Sequence, residues 1–302
     1  MTSSPIKIAG APISWGVSEV AGWGVQLPPE RVLAEMAELG LTATENGADG
    51  FLPEAPAEKA AVLRRYGMAS VGSFVPVVLH DADVDPMPRI ERELDDYAAT
   101  GGDTLIVCAV TGVDGYDAAR PVLDDEGWAR LFANLDRIAS AAAARGVKTA
   151  LHPHAGSMVE QADEVQRVLD DSSIAFCFDT GHLLIGGFDP VEFARDHADR
   201  VAHVHLKDLS VAELDRVRAG EQTYMEGCGG ALYTPLGEGD IDIPSIVASL
   251  HAAGYDGWFV LEQDKVLHEV PAPGEGPIAD SRKSVEYLRR VAAAIEAQAT
   301  GA

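Results

Sequence analysis

Cysteines, aromatic residues and cationic side chains are all scarce in this chain of 302 residues. Its three cysteines, Cys108, Cys177 and Cys228, are odd in number, widely spaced and in no CxxC pair. They read as reduced thiols, not a disulfide framework, and the expected compartment is the cytoplasm. Lys and Arg number 23 against 48 Asp and Glu, a formal charge of −25, and no basic cluster offsets it locally. Nucleic-acid binding rests on basic side chains that neutralise phosphates, so nucleic acid is a poor partner here. Anionic membrane surfaces are disfavoured on the same ground. No apolar run approaches the length of a membrane span. The opening Met1-Thr2-Ser3-Ser4-Pro5 lacks the basic and apolar regions of a signal peptide. There is no P-loop, and no GxGxxG turn follows the first strand.

What is present is a chain 47% hydrophobic, able to bury a sizeable core. One unit recurs along it: an amphipathic helix, a glycine, then a short β-rich run. Helix Pro28–Leu39 is stopped by Gly40 and followed by strand Leu41–Glu45. Helix Ala57–Tyr66 precedes strand Met68–Pro76, and Arg89–Ala99 precedes Thr104–Val110. Helix Asp125–Arg145, with Leu131, Leu135 and Ile138 on one stripe, leads to strand Val147–His152. Then come helix Gln161–Leu169 with strand Ile174–Asp179, and helix Pro190–His197 with strand Val201–Lys207. Helix Ile243–Ala253 precedes Gly257–Gln263, and a last helix spans Ser281–Ala297. With the opening run Ile6–Ile13, eight strands alternate with eight helices. Such alternation implies parallel pairing through right-handed crossovers. The expected fold is α/β, a single (β/α)8 TIM barrel over residues 1–302, for which about 250 residues or more is usual. A long irregular stretch at 209–240, after the seventh strand, would lie above the barrel mouth as a lid or a surface excursion.

In such a barrel, function collects at the C-terminal ends of the strands. Side chains alternate faces along a strand, so parity tests which residues point together. His152 and His154 share a face, as do His203, His205 and Lys207, and as do Glu262 and Asp264. Asp179 is the polar end of an otherwise apolar strand. Adjacent strands thus bring imidazoles and carboxylates to one rim, the donor set of a divalent transition metal. His205 is preferred to His203 as a donor because it lies nearer the strand's C-terminal end. Glu45, closing strand two, is a candidate for substrate hydroxyls, and Trp15 for a wall of the pocket. Cys177 sits deeper than Asp179 and reads as core. Cys228 lies in the long loop without an evident partner.

At these residues the chain resembles the xylose-isomerase-like barrels of sugar (phosphate) isomerases, epimerases and inosose dehydratases. The motifs that carry the likeness are Phe178-Asp179-Thr180-Gly181-His182, His203-Val204-His205-Leu206-Lys207-Asp208, Gly237-Glu238-Gly239-Asp240-Ile241-Asp242 and Gly257-Trp258-Phe259-Val260-Leu261-Glu262. In the epimerases a metal is held by Glu, Asp, His and Glu from strands five to eight. The matching positions are His152, Asp179, His205 and Glu262. Epimerases use that first Glu as both ligand and base, so a histidine there departs from two-base epimerisation. The strand-five end His152-Pro153-His154-Ala155-Gly156-Ser157 is instead similar to that of inosose dehydratases.

The resemblance implies a lyase that dehydrates a keto-polyol such as an inosose. One divalent ion, Mn2+ or Co2+ first and Mg2+, Fe2+ or Zn2+ next, would polarise the ketone and stabilise an enediolate. The base that takes the α-proton would be His152, His154 or Glu262. The acid for the β-hydroxyl would be His182 or Lys207, both also candidates for holding substrate. A sugar isomerase or ketose 3-epimerase is the alternative, and a non-catalytic sugar-binding barrel a second. The expected partner is a small keto-polyol or sugar, with a homo-oligomer left open.

Overall fold

The structure, a computed structural model, describes residues 5–300; the leader test on Met1–Ser4 therefore lies outside the described residues. Eight parallel strands close into a barrel: β1 (Lys7–Gly10), β2 (Ala43–Glu45), β3 (Ala69–Val77), β4 (Thr104–Ala109), β5 (Lys148–Leu151), β6 (Ala175–Asp179), β7 (Val201–Leu206) and β10 (Trp258–Leu261). A short antiparallel pair, β8 (Asp208–Leu209) and β9 (Tyr233–Thr234), stands outside it. Around the barrel run α1 (Pro29–Glu38), α2 (Pro56–Arg65), α3 (Met87–Thr100), α4 (Asp125–Ala143) and α5 (Ala162–Asp171). They are followed by α6 (Thr180–Ile185), α7 (Pro190–Asp196), α10 (Ile243–Ala252) and α11 (Pro277–Thr300), with α8 (Val211–Arg218) and α9 (Tyr224–Gly229) inserted after β7. No helix among the described residues is long and apolar enough to cross a membrane.

Local chemistry explains these elements. In α4 the Asp124 carboxylate caps the Gly127 N–H at 2.8 Å, and Trp128, Leu131, Leu135 and Ile138 bury one face against the barrel. Strand parity then divides the packing. Phe176 and Phe178 of β6, with Val204 and Leu206 of β7, point outward into the apolar layer under the helices. Inside the barrel the side chains are small, Ala9, Ala43, Val71 and Val260 in one cluster and Ile106, Ala150 and Cys177 in another. Large polar side chains fill the levels above them. Asp179 lies in register with His205, and Cys177 with His203.

The expected first strand, Ile6–Ile13, is shortened: Pro12 opens a single 3-10 turn to Trp15 and cannot extend the ladder. The stretch at 209–240 is also more ordered than expected, since it contains α8, α9 and β9. A capping box at its second helix, Thr223 with Glu226, is a start signal that the sequence does carry. Leu232, Tyr233 and Cys228 are buried, so the segment packs onto the mouth instead of standing off in solvent.

The Gly237-Glu238-Gly239 motif is built around Asp208. One oxygen of this buried carboxylate accepts the N–H groups of Gly237 (2.8 Å) and Gly239 (3.1 Å), and the other those of Leu209 (3.0 Å) and Ile241 (3.1 Å). A Cβ at Gly239 would collide with that carboxylate, which explains the glycine. Asp208→Ala strips four N–H groups of their acceptor and is expected to cost about 2–4 kcal/mol. Urea denaturation reads this directly, and an unchanged midpoint would contradict it.

Candidate metal centre and its cavity

The ends of β5, β6, β7 and β10 converge on the oxygen Oδ2 of Asp179, a residue with no exposure. His152 Nε2 is 3.3 Å from that oxygen, His205 Nδ1 is 3.5 Å away and Lys207 Nζ is 3.9 Å away. Its other oxygen, Oδ1, caps α6 by accepting the His182 N–H at 2.9 Å. His205 Nδ1 also approaches Glu262 Oε2 to 2.6 Å. Lys207 is wholly buried; its ammonium pairs with Asp264 and lies 3.4 Å from Glu262. Across the barrel, Glu45 Oε1 is 2.6 Å from His205 Nε2 and 2.8 Å from His203 Nε2.

This arrangement sets the charges. Burial works to raise the Asp179 carboxyl, but His182, Lys207, His152 and His205 hold it well below the usual range. Against the same burial, His205 and Lys207 hold Glu262 low. His205 goes the other way: burial alone would lower its ring, yet the Glu262 and Glu45 carboxylates keep it well above the usual imidazole value. Burial lowers His152, opposed by Asp179. It carries His154 down to about 3, with His152 adding to the effect, and His182 well down beside His154. Asp264 is pushed up to about 6 by burial, with Lys207 resisting.

These residues fit a divalent cation. A tetrahedron of bonds about 2.1 Å long has edges of about 3.4 Å, which matches the 3.3 and 3.5 Å spacings about Asp179 Oδ2. His205 Nδ1 and Glu262 Oε2 are both buried, face each other at 2.6 Å and yet lack the alignment of a hydrogen bond. Two donor atoms aimed at one point, with no hydrogen bond between them, are what a shared cation satisfies. Glu262 would have to draw back by under about 1 Å to reach a normal edge. It is the least buried of the four, its side chain 12% exposed.

A cavity of about 250 Å3 opens above the cluster and is lined by His152, His154, Lys207 and Glu262. Glu45 also reaches it, although one of its oxygens serves two imidazoles. Two expected residues fall elsewhere. Trp15 does not wall this cavity: it turns into the core, its indole N–H bound to Glu35 Oε2 at 2.8 Å, because the 3-10 turn points it away from the barrel axis. His182 lies behind His154, ring centroids 3.7 Å apart, and is not among the cavity residues. Its Nδ1 accepts the Ala155 N–H at 3.3 Å, a packing of β6 against the β5 loop. His203, the less favoured donor on β7, is bound to Glu45.

Sequence reasoning missed Trp23, Arg92, Tyr116 and Tyr224, which complete the cavity. The Tyr116 ring lies 4.4 Å from that of His154, and its hydroxyl donates to Glu19 Oε1 at 2.6 Å. Tyr224 projects from α9 and donates to Asp264 at 3.4 Å. Arg92, exposed on α3, has no carboxylate, carbonyl or ring partner among the described residues.

The family described as xylose isomerase-like TIM barrel matches residues 33–291. An inosose dehydratase of Geobacillus kaustophilus is 33% identical, the match covering 96% of this chain and 96% of that protein. The rhizopine catabolism protein MocC of Rhizobium meliloti is 32% identical, over 96% of this chain and 89% of its own length. Among solved structures, the IolI protein with a bound zinc atom superposes with a TM-score of 0.68 at 12% identity, covering 95% of this chain and 98% of that one, a likeness of fold. The chain belongs to the xylose isomerase-like TIM barrel family.

Proposed function

We propose that this chain is a divalent-metal-dependent dehydratase that removes water from a keto-polyol of the inosose type. The observation that carries the reading is the full-length likeness to an inosose dehydratase, together with a rim that holds two histidines at the end of β5. His152, Asp179, His205 and Glu262 would hold the ion, with Mn2+ or Co2+ expected. When bound, the ion supplies Lewis acidity at the ketone end of the substrate.

The remaining chemistry belongs to side chains. His154 donates Nδ1–H to the Ala155 carbonyl at 2.8 Å, which leaves Nε2 as the lone pair of a neutral ring. That nitrogen takes the proton from the carbon beside the ketone. Lys207, kept as ammonium by Asp264 and Glu262 against the burial that would discharge it, gives a proton to the departing β-hydroxyl. A C–H and a C–O bond break, a C=C bond forms, and water leaves. Passing one proton from His154 to Lys207 resets the pair. Arg92 supplies donors for the hydroxyls on the rest of the ring, and Tyr116 and Tyr224, whose protons go to Glu19 and Asp264, line that space. The three buried, unpaired thiols suit work in the reducing cytoplasm.

Incubating the metal-loaded protein with keto-inositols, ketoses and keto-glycosides in deuterium oxide tests this reading. Enone absorbance should rise with an inosose. Deuterium uptake into recovered substrate without loss of water would assign the chain to isomerisation or epimerisation instead.

A further inference from the structure

We propose that Glu45 is a positioning residue: it fixes which nitrogen of His205 faces the metal, and His203 locks Glu45 in that role. The inference rests on the metal reading above and replaces the hydroxyl-binding role that the sequence suggests for Glu45.

Glu45 closes β2, where the pairing with β3 slips between Thr44 and Glu45. From there it reaches β7, a contact between residues 160 positions apart in the chain. Its side chain is 5% exposed, and its Oε1 lies within hydrogen-bond reach of Nε2 of both His205 and His203. An ionised carboxylate only accepts hydrogen bonds. Both rings that touch Oε1, His205 at 2.6 Å and His203 at 2.8 Å, must therefore carry a proton on Nε2. In the neutral ring that binds a cation, a proton on Nε2 puts the lone pair on Nδ1, the atom facing Asp179 at 3.5 Å and Glu262 at 2.6 Å. The opposite tautomer would set a bare Nε2 against a carboxylate oxygen and an N–H where a cation belongs. A histidine ligand whose far nitrogen is anchored on a carboxylate is oriented and made more basic by it. His203 lies two residues earlier on β7 and is 2% exposed. By binding the same oxygen from below, it prevents Glu45 from turning up toward substrate.

The test reads metal binding as well as turnover. Zn2+ affinity, measured by chelator competition, should fall about 10–100-fold in Glu45→Ala and less in Glu45→Gln, which keeps an acceptor oxygen. The Co2+ absorption spectrum should shift in both. If Glu45→Ala does not fold, nitrogen NMR of the Zn2+-loaded natural protein decides: the His205 Nε2 should carry a hydrogen-bonded proton, with the metal on Nδ1. Zinc on Nε2 would overturn the proposal. So would Glu45→Ala that binds Zn2+ like the natural protein but shows a raised KM, the signature of a substrate-binding residue. Natural protein that takes up no Zn2+ at all would contradict the metal reading itself, a distinct result.

Discussion

Glu262→Gln should lower kcat/KM by about a thousand-fold and weaken divalent-metal binding along with it. Asp179 and Glu262 are the two anionic members of the proposed ligand set, His152 and His205 being imidazoles. The substitution keeps the shape of the side chain and removes half of that negative charge. A Lewis acid contributes several kcal/mol to a developing oxyanion, and each 1.36 kcal/mol is tenfold in rate, so losing about 4 kcal/mol gives the stated effect. The change also deprives Lys207 of the carboxylate 3.4 Å from its ammonium. Isothermal titration with Mn2+ and steady-state kinetics across added Mn2+ separate the two consequences. Partial recovery in excess metal marks Glu262 as a ligand, whereas full occupancy without recovery gives it a proton-transfer role as well. A variant with natural metal content and natural activity would refute both.

The second large effect distinguishes the two histidines after β5. His154→Phe should lower kcat by about 100- to 10,000-fold, the range for loss of a general base, with the metal content intact. Phenylalanine preserves the ring packing between His182 and Tyr116, whose centroids lie 3.7 and 4.4 Å from that of His154. His152→Phe should instead lose the metal, because its Nε2 stands 3.3 Å from Asp179 Oδ2. Metal analysis of the two purified variants is sufficient. If His154→Phe arrives metal-free while His152→Phe is fully loaded, the roles are reversed.

Why these residues were legible follows from strand geometry. Period-two alternation sends His203, His205 and Lys207 inward together, and Asp179 inward between outward Phe178 and the cap of α6. Parity alone thus indicates which strand-end residues meet. The pattern says less about contacts across the barrel: the link from Glu45 to β7 depends on closure and on the slip in β2. Trp15 was misplaced because it follows the strand in a 3-10 turn, where alternation no longer applies. Tyr116 and Tyr224 arrive from a loop and a six-residue helix, and Arg92 from the N-terminal half of α3. None of them stands in a periodic pattern that points to the mouth. The −25 charge proves uninformative about the centre itself, where Lys207 and the histidines are shared among buried carboxylates and Asp179 and Glu262 are the two in the proposed ligand set.

The central claim is that the four converging side chains hold an ion on which water loss depends. The most direct measurement follows enone absorbance from an inosose with protein stripped by chelator, then reloaded with one equivalent of Mn2+ or Co2+. The account predicts no absorbance change from the stripped protein and its return on reloading. Undiminished enone formation by protein shown to hold no divalent ion would contradict it.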